Sequence, residues 1–412
     1  MPYDQGSFAD GRPRLKPFSL PNGMVGRPYS EEFDISTYAI EPIADFRIEG
    51  LNRLGLEYDA TQGRIEGTPS VEGTHKIAIS FRYVADDEAD DFLLQEVGLL
   101  INPDPKSLWK SLDSDSSDPY WKPDETCEVR REGDRHIVIA SKRGRSHAHE
   151  GKFRDDDFDA LCTGRDGWSI LAVADGAGSA RFSRKGSELA CRAATQSLIQ
   201  YLPGVPDSVL EALLKQQAQG DIEDSKRALS DLLYNSLGRA AFAAYKKIQE
   251  EASFQSAPMR DYSTTLLLAV HKRLRTGHFF GSFGVGDGAI GLFRKDHSVQ
   301  LLAEPDGGQF AGQTRFLNMS EIFEYSELAK RLRYTVVEDF TALMLMTDGV
   351  SDPKFQTDNN LLRLENWSAL WQDVCGHVNL DRGNERAGSE LLQWLDFWSP
   401  GNHDDRTLAI LY

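Results

Sequence analysis

The chain has 412 residues, of which 40% are hydrophobic and 27% are charged. This length is sufficient for two globular domains, and the composition excludes disorder of the chain as a whole. The formal net charge of −18 argues against non-specific binding to nucleic acid or to anionic membranes, because both require a basic surface.

Residues 1–14 are expected to form a flexible tail. The N-terminal sequence lacks the apolar segment of a secretory signal. Further along, no run approaches the ~20 apolar residues that span a bilayer. The cysteines are scattered, form no CxxC pair and indicate neither a zinc ribbon nor a disulfide framework; they are Cys127, Cys162, Cys191 and Cys375. We therefore expect a cytoplasmic protein.

Residues 15–103 are predicted to form a small all-β sandwich domain of short strands separated by turn residues. Alternation in HKIAISF, residues 75–81, places Ile77, Ile79 and Phe81 on one face. The segment GLEYDATQGRIEGTPSVEGTHKIAISF resembles immunoglobulin-like modules with the repeat G-L-x-x-D-x-x-T-G-x-I-x-G-T-P-x-x-x-G-T. Such sandwiches carry many functions, so we hypothesise that this domain recruits a protein partner or substrate; a structural brace is the alternative.

Residues 104–134 are rich in Pro, Ser, Asp and Lys and are predicted to be a linker. The aromatic residues Trp109, Tyr120 and Trp121 leave open whether this linker is docked on a neighbouring domain or free.

Residues 135–412 are predicted to be a second domain in which apolar strands alternate with long helices. The expected strands are 136–141, 168–174, 263–270, 278–285, 289–293, 342–347 and 407–412. Helical periodicity follows Lys185, recurs over 225–251 and is expected again over 366–397; its clearest apolar stripe comprises Leu229, Leu232, Leu233, Leu237, Ala240, Ala241, Ala244 and Ile248. This pattern predicts an α+β fold with helices on the outer faces of mostly antiparallel sheets.

Apolar strands run into an Asp-Gly pair at three places, namely Asp175-Gly176, Asp287-Gly288 and Asp348-Gly349. Any one pair is more typical of a hairpin turn than of a ligand. Their repetition indicates carboxylates that converge on a hard cation at strand ends, and carboxylate oxygens suit magnesium or manganese. Two acidic clusters add to the set, Asp155-Asp156-Asp157 and Asp404-Asp405.

These segments together resemble the signature blocks of the protein phosphatase 2C family. The matching blocks are GRSHAHEGKFRDDDF, LAVADGAGSARFSRKGSELA, DYSTTLLLAV, GSFGVGDGAIGLF with LMLMTDG, and HDDRTLAILY. The small bacterial phosphatases of the family are the most similar subgroup, and LAEPDGGQFAGQTRFL, residues 302–317, resembles a further segment of theirs. The resemblance implies a central antiparallel β-sandwich flanked by helices in an αββα arrangement.

The resemblance also implies a centre of two, or possibly three, Mn²⁺ or Mg²⁺ ions. Asp156, Asp175, Asp348 and Asp404 match the catalytic metal ligands, with Asp175 bridging two ions and the Gly176 carbonyl ligating one of them. Asp287 matches the aspartate of a third, weaker metal. In this family a water that bridges the metals attacks as hydroxide, and the substrate is phosphoserine or phosphothreonine of a phosphoprotein.

The sequence departs from the family pattern at two positions. Asp155 stands where the subgroup has Gln and the broader family has Glu, and Gly151 stands where many members place a phosphate-binding arginine. His147 is the first candidate to bind phosphate instead, because the Ser-His pair matches the subgroup. Arg145, Arg143 and Arg154 are further candidates, and a solvated surface side chain is the alternative for each.

Two other functions compete with this interpretation. The segment GNHDD, residues 401–405, is similar to a block of calcineurin-like metallophosphoesterases, but no Asp-x-His opens the catalytic domain. A pseudophosphatase or scaffold that binds phosphoproteins without turnover is the second alternative, and the retained acids argue against it. His147 and His149 could imitate a zinc pair, although a polar loop is the simpler interpretation.

Overall fold

A computed structural model describes residues 14–86, 91–132, 135–164, 167–218, 222–275, 277–296, 298–306 and 314–412. The chain divides into two units with the boundary between Trp109 and Lys110. Residues 1–13 of the predicted tail and residues 307–313 of the segment 302–317 lie outside the described residues.

The N-terminal unit contains two sheets whose apolar faces share one core. Its strands are β1 (Gly23–Met24), β2 (Tyr29–Glu32), β3 (Ile43–Glu49), β4 (Leu56–Asp59), β5 (Arg64–Gly67), β6 (Gly73–Tyr83) and β7 (Leu93–Asn102). The sheet orders are β1-β7-β6-β3 and β2-β5-β4. Ile77, Ile79 and Phe81 of β6 are buried in the core, as their alternation predicts. The all-β prediction is thus confirmed, whereas the immunoglobulin-like assignment stays a prediction.

The second unit contains two larger sheets built from antiparallel pairs. Its strands are β8 (Glu125–Glu132), β9 (Arg135–Lys142), β10 (Asp157–Cys162), β11 (Trp168–Ala174), β12 (Leu266–Leu274), β13 (Gly277–Val285), β14 (Ala289–Arg294), β15 (Val299–Ala303), β16 (Leu332–Val337), β17 (Phe340–Met346) and β18 (Arg406–Leu411). One sheet has the order β10-β11-β12-β13-β16 and the other β15-β14-β17-β18-β9-β8.

The helices of the second unit cover the outer faces of these sheets. They are α1 (Arg145–Glu150), α2 (Ser183–Tyr201), α3 (Asp207–Ala218), α4 (Ile222–Leu233), α5 (Arg239–Phe254), α6 (Tyr325–Arg331), α7 (Asp348–Phe355), α8 (Leu364–His377) and α9 (Ala387–Trp394). A π-helical turn, Tyr234–Gly238, joins α4 to α5 within the segment predicted as one helical stretch. Among the described helices, none combines the length and apolarity needed to cross a bilayer.

The central strands of the second unit, such as β11, β12, β13 and β17, are buried on both faces, which explains their uninterrupted apolar sequences. In β11, Ile170 and Ala172 face the core beneath α2 and α5, whereas Leu171 and Val173 face the core between the sheets. A third core lies between the other sheet and helices α7 to α9. These layers confirm the predicted αββα arrangement, and they hold the strand ends firmly.

The stretch expected to be a linker is partly structured. Residues 125–132 form β8, which pairs with β9 along its whole length. Only Cys127 and Val129 are apolar in ETCEVRRE, because an edge strand with one exposed face needs few apolar side chains. Upstream, Tyr120 is docked: its hydroxyl donates to Glu251 Oε1 at 2.6 Å, and its ring contacts Phe182 at a centroid distance of 5.4 Å.

Candidate metal centre

The predicted acids lie where strands end or begin. Asp175 directly follows β11, Asp348 directly follows Thr347 and begins α7, and Asp287 lies in the short connection from β13 to β14. One carboxylate oxygen from each of these three residues lies within 4.8 Å of the other two. The structure therefore places Asp287 in the same cluster as Asp175 and Asp348.

Backbone contacts fix Asp175 independently of its side chain. The Asp175 N–H donates to Thr265 Oγ1 at 2.8 Å, and the Thr265 N–H donates back to the Asp175 carbonyl at 2.8 Å. Thr264 Oγ1 also donates to that carbonyl, at 2.9 Å. The carboxylate is therefore left for other partners.

Asp156 lies just before β10, and its carboxylate is fully buried. Its Oδ2 accepts hydrogen bonds from Thr347 Oγ1 at 2.9 Å and from Thr407 Oγ1 at 2.7 Å. Burial, followed by the nearby charge of Asp405, raises the pKa of Asp156 to about 7. The two threonines hold one oxygen and leave Oδ1 for another ligand.

The cluster fits divalent cations on two grounds. Within the described residues, the Oδ1 atoms of Asp156, Asp287 and Asp348 are buried and have no hydrogen-bond partner. Burial and mutual repulsion raise the pKa values of Asp175 and Asp348 well above the usual range, with Asp348 the main neighbour of the first and Asp287 of the second. Hard oxygen ligands with uncompensated negative charge are what Mg²⁺ and Mn²⁺ require.

Gly176 lies in a gap that admits no side chain. A Cβ atom there would lie 2.7 Å from the Asp155 carbonyl oxygen and 2.9 Å from Ser183 Cβ. This close approach brings the start of α2 and the acidic loop 155–157 against the end of β11. Gly176 thus lies against the acidic loop, and the ligand role of its backbone carbonyl stays a prediction.

Asp404 belongs to a neighbouring group with His147 and Asp405, whose ligand atoms also lie within 4.8 Å of one another. Burial and the adjacent Asp405 raise the pKa of Asp404. The charge of Asp404 in turn contributes to the raised pKa values of Asp175 and Asp348, so the two groups interact.

Asp405 is a buried hub that the sequence did not reveal. Its Oδ1 accepts from the Gly144 N–H at 2.6 Å and from His147 Nδ1 at 3.0 Å, and its Oδ2 accepts from the Asp155 N–H at 2.5 Å. Burial alone would lower the pKa of His147, but Asp405, with Asp155 and Asp404, raises it to about 9. The second aspartate of HDDRT is the available signal, and the sequence indicates only that it belongs to an acidic cluster.

The basic candidates for phosphate binding are placed differently. His147 directs Nε2 toward Asp155 Oδ2 at 4.0 Å, beside the acidic loop. Arg145 instead binds the carbonyl and carboxylate of Asp396, at 2.9 and 3.0 Å. Arg143 donates to the Leu112 carbonyl at 2.8 Å and pairs with Asp124. The geometry therefore favours His147 among these three.

Arg154 and Gly151 complete the comparison with the family pattern. Arg154 is buried and donates to the Asp156 carbonyl at 2.6 Å and to Ser141 Oγ at 2.7 Å. Gly151 ends α1 with φ of 68°, a conformation that an arginine would adopt only under strain. The usual arginine position is therefore occupied by a helix cap.

A sequence model described as Protein phosphatase 2C matches residues 143–396, more than half of the chain. No curated protein gives a significant match. Among solved structures, the chain is similar to the catalytic domain of the serine/threonine phosphatase PstP, in complex with two manganese ions, with 17% identity, a TM-score of 0.40, and coverage of 69% of this chain and 98% of that chain.

Two further solved structures show a similar degree of likeness. For Stp1 from Staphylococcus aureus the identity is 15%, the TM-score 0.37 and the coverage 69% of this chain and 96% of that chain. For the S. agalactiae serine/threonine phosphatase the identity is 16%, the TM-score 0.39 and the coverage 68% of this chain and 99% of that chain.

The family match covers the loops and strand ends that carry Asp156, Asp175, Asp287 and Asp348. The chain belongs to the protein phosphatase 2C family.

Proposed function

We propose that this protein is a Mn²⁺- or Mg²⁺-dependent phosphatase that hydrolyses phosphoserine and phosphothreonine in proteins. The observation that carries the proposal is the half-buried group of Asp175, Asp287 and Asp348, in which one carboxylate oxygen of each residue lies within 4.8 Å of the other two. The carboxylates of such a group repel one another strongly when no cation is bound. Membership of the protein phosphatase 2C family supports phosphate-ester hydrolysis as the reaction at this site.

The residues that would hold the ions are Asp156, Asp175, Asp348 and Asp404, with Asp287 and the Gly176 carbonyl. When bound, the ions supply Lewis acidity, which lowers the pKa of a water molecule and balances charge on phosphoryl oxygens. Thr347 and Thr407 orient Asp156 through its Oδ2. Rigid strand ends keep the other carboxylates in place before substrate arrives.

His147 is our candidate for orienting the phosphoryl group. Asp405 accepts from its Nδ1, and that contact fixes the imidazole with Nε2 on the side of the acidic loop. A hydrogen-bond donor held in this way can contact a phosphoryl oxygen without losing side-chain entropy on binding. Arg145 is left out of this role because its guanidinium is engaged by Asp396.

Steady-state assays of the purified full-length protein test the proposal. Hydrolysis of p-nitrophenyl phosphate and of a phosphothreonine peptide should require Mn²⁺ or Mg²⁺ and should stop when EDTA is added. A phosphotyrosine peptide serves as the comparison substrate. A folded protein that binds Mn²⁺ but hydrolyses neither phosphate ester would contradict the proposal and favour the scaffold alternative.

The N-terminal unit is proposed to recruit a protein partner or a substrate, since it has its own apolar core and lies outside the region matched to the family. Deleting residues 1–109 is expected to leave p-nitrophenyl phosphate hydrolysis within about twofold and to slow dephosphorylation of the recruited phosphoprotein by about tenfold, the loss of a local-concentration effect. Equal losses on both substrates would instead indicate a structural brace. Phosphoproteomic comparison of cells expressing the intact and shortened chains provides the measurement.

We further propose that the protein acts in a reducing compartment such as the cytoplasm. Two of its cysteines, Cys127 and Cys375, are free thiols at exposed positions. Exposed free thiols are unusual where disulfides form readily.

A further inference from the structure

Residues 110–124, here called the strap, precede β8 and belong to the same unit as the metal centre. Lys122 extends from the strap into the protein, and its side chain is only 11% exposed. Its Nζ lies 2.7 Å from the Asp156 carbonyl, 3.0 Å from Asp157 Oδ2 and 3.2 Å from the Arg184 carbonyl. The three protons of an ammonium group match these three acceptors.

A fourth group, Ser187 Oγ, lies 3.4 Å from the Lys122 ammonium. Ser187 donates its own proton to the Asp155 carbonyl, so its oxygen can accept from Lys122. The ammonium therefore joins two separate segments. One is the acidic loop 155–157, and the other is the N-terminal end of α2, to which Arg184 and Ser187 belong.

Arg154 also donates to the Asp156 carbonyl, but it cannot replace Lys122 in this role. It lies on the same loop, two residues before Asp156, and its other contacts are Ser141 Oγ and the Pro123 carbonyl. None of these contacts reaches α2. Between the two cations, it is Lys122 that connects the loop to the helix.

The strap itself is held at several points. Asp118 accepts from Arg184 Nη2 at 2.7 Å, Tyr120 donates to Glu251 at 2.6 Å, and Leu112 donates its N–H to the Ala148 carbonyl at 2.9 Å. Inserting an ammonium into such a site is costly, and an aliphatic side chain could fill the same space without that cost. Packing alone therefore does not explain why a lysine occupies this site, and its ammonium contacts indicate a further role.

We propose that Lys122 is a positioning residue of the metal centre, which fixes the backbone of Asp155–Asp157 against α2 and thereby holds the Asp156 carboxylate in place for the cation. This inference rests on the proposed function. It assigns part of the centre to the strap, which lies upstream of residues 143–396, the region matched to the family. The functional catalytic unit then begins before β8.

Mn²⁺ titration calorimetry on the metal-free full-length protein tests this role without relying on activity. Lys122→Met retains the aliphatic stem and removes the ammonium. We expect its Mn²⁺ affinity to fall about 10- to 100-fold, as for other groups that orient metal ligands. Lys110→Met, at an exposed position of the same strap, is the matched control and should bind Mn²⁺ like the wild type. Unchanged Mn²⁺ affinity in folded Lys122→Met protein would overturn the proposal.

A second variant keeps the test decisive if Lys122→Met does not fold. The double change Asp118→Asn with Tyr120→Phe loosens the strap and leaves Lys122 itself intact. It should lower Mn²⁺ affinity in the same direction by about threefold or more, the effect of weakening an outer contact. A loosened strap with wild-type Mn²⁺ affinity would count against the proposal. Wild-type protein that binds Mn²⁺ but hydrolyses no phosphate ester would overturn the proposed function alone.

Discussion

Asp175→Asn is expected to lower Mn²⁺-dependent hydrolysis of the phosphothreonine peptide by about a thousandfold, equivalent to about 4 kcal/mol of transition-state stabilisation. The carboxylate of Asp175 lies among those of Asp348, Asp287 and Asp156, whose charges contribute to its raised pKa. An asparagine has the same shape but offers one neutral oxygen. Since backbone contacts to Thr264 and Thr265 hold position 175, the fold should persist.

The same substitution should raise the stability of the metal-free protein. Removing one charge from a group of mutually repelling carboxylates is favourable, and a gain of about 1 kcal/mol in the free energy of unfolding is expected. Urea unfolding in EDTA measures this gain, while initial rates at saturating Mn²⁺ measure activity. Asp224→Asn, at an exposed position of α4, should change neither quantity. Activity of Asp175→Asn within tenfold of the wild type would contradict the assignment of Asp175 as a ligand.

The acids of the metal centre can be predicted from the sequence because local sequence signals identify them. Each of Asp175, Asp287 and Asp348 follows an apolar strand and precedes a glycine. Strands that are buried on both faces form continuous apolar runs, which are easily recognised in a sequence. The stripe from Leu229 to Ile248 similarly predicted the helical layer, although not the π-helical turn at Tyr234–Gly238 within it. The fold class and the family followed from these features.

The residues that support the acids carry no comparable local signal. Lys122 lies in a Pro- and Asp-rich stretch that is typical of a linker, and its acceptors are 34 to 65 residues away along the chain. Asp405 similarly binds Gly144, which is 261 residues distant. Contacts over such separations depend on the completed tertiary fold, so neither role could be read from spacing or composition.

Asp405→Ala is expected to destabilise the protein by about 3–5 kcal/mol and to abolish measurable hydrolysis. The carboxylate is buried, and burial alone would raise its pKa; His147, by hydrogen bond and charge, with the Gly144 and Asp155 N–H groups, lowers it instead. Removing it leaves His147 and these two N–H groups buried without their acceptor. It also frees the loop that carries Asp156.

Asp396→Ala is the matched control, because that carboxylate pairs with Arg145 at 3.0 Å but is 58% exposed. Exposed ion pairs contribute about 0–1 kcal/mol, so this variant should stay close to the wild type in stability and activity. Urea unfolding of Asp405→Ala, His147→Ala and the double variant measures the coupling between the two side chains. A coupling of at least about 1.5 kcal/mol is expected for a buried charged hydrogen bond. Additive effects would show that Asp405 stabilises the loop through the backbone N–H groups alone. In that case Asp405 would not fix the orientation of His147, and the proposal that His147 contacts phosphate would lose its support.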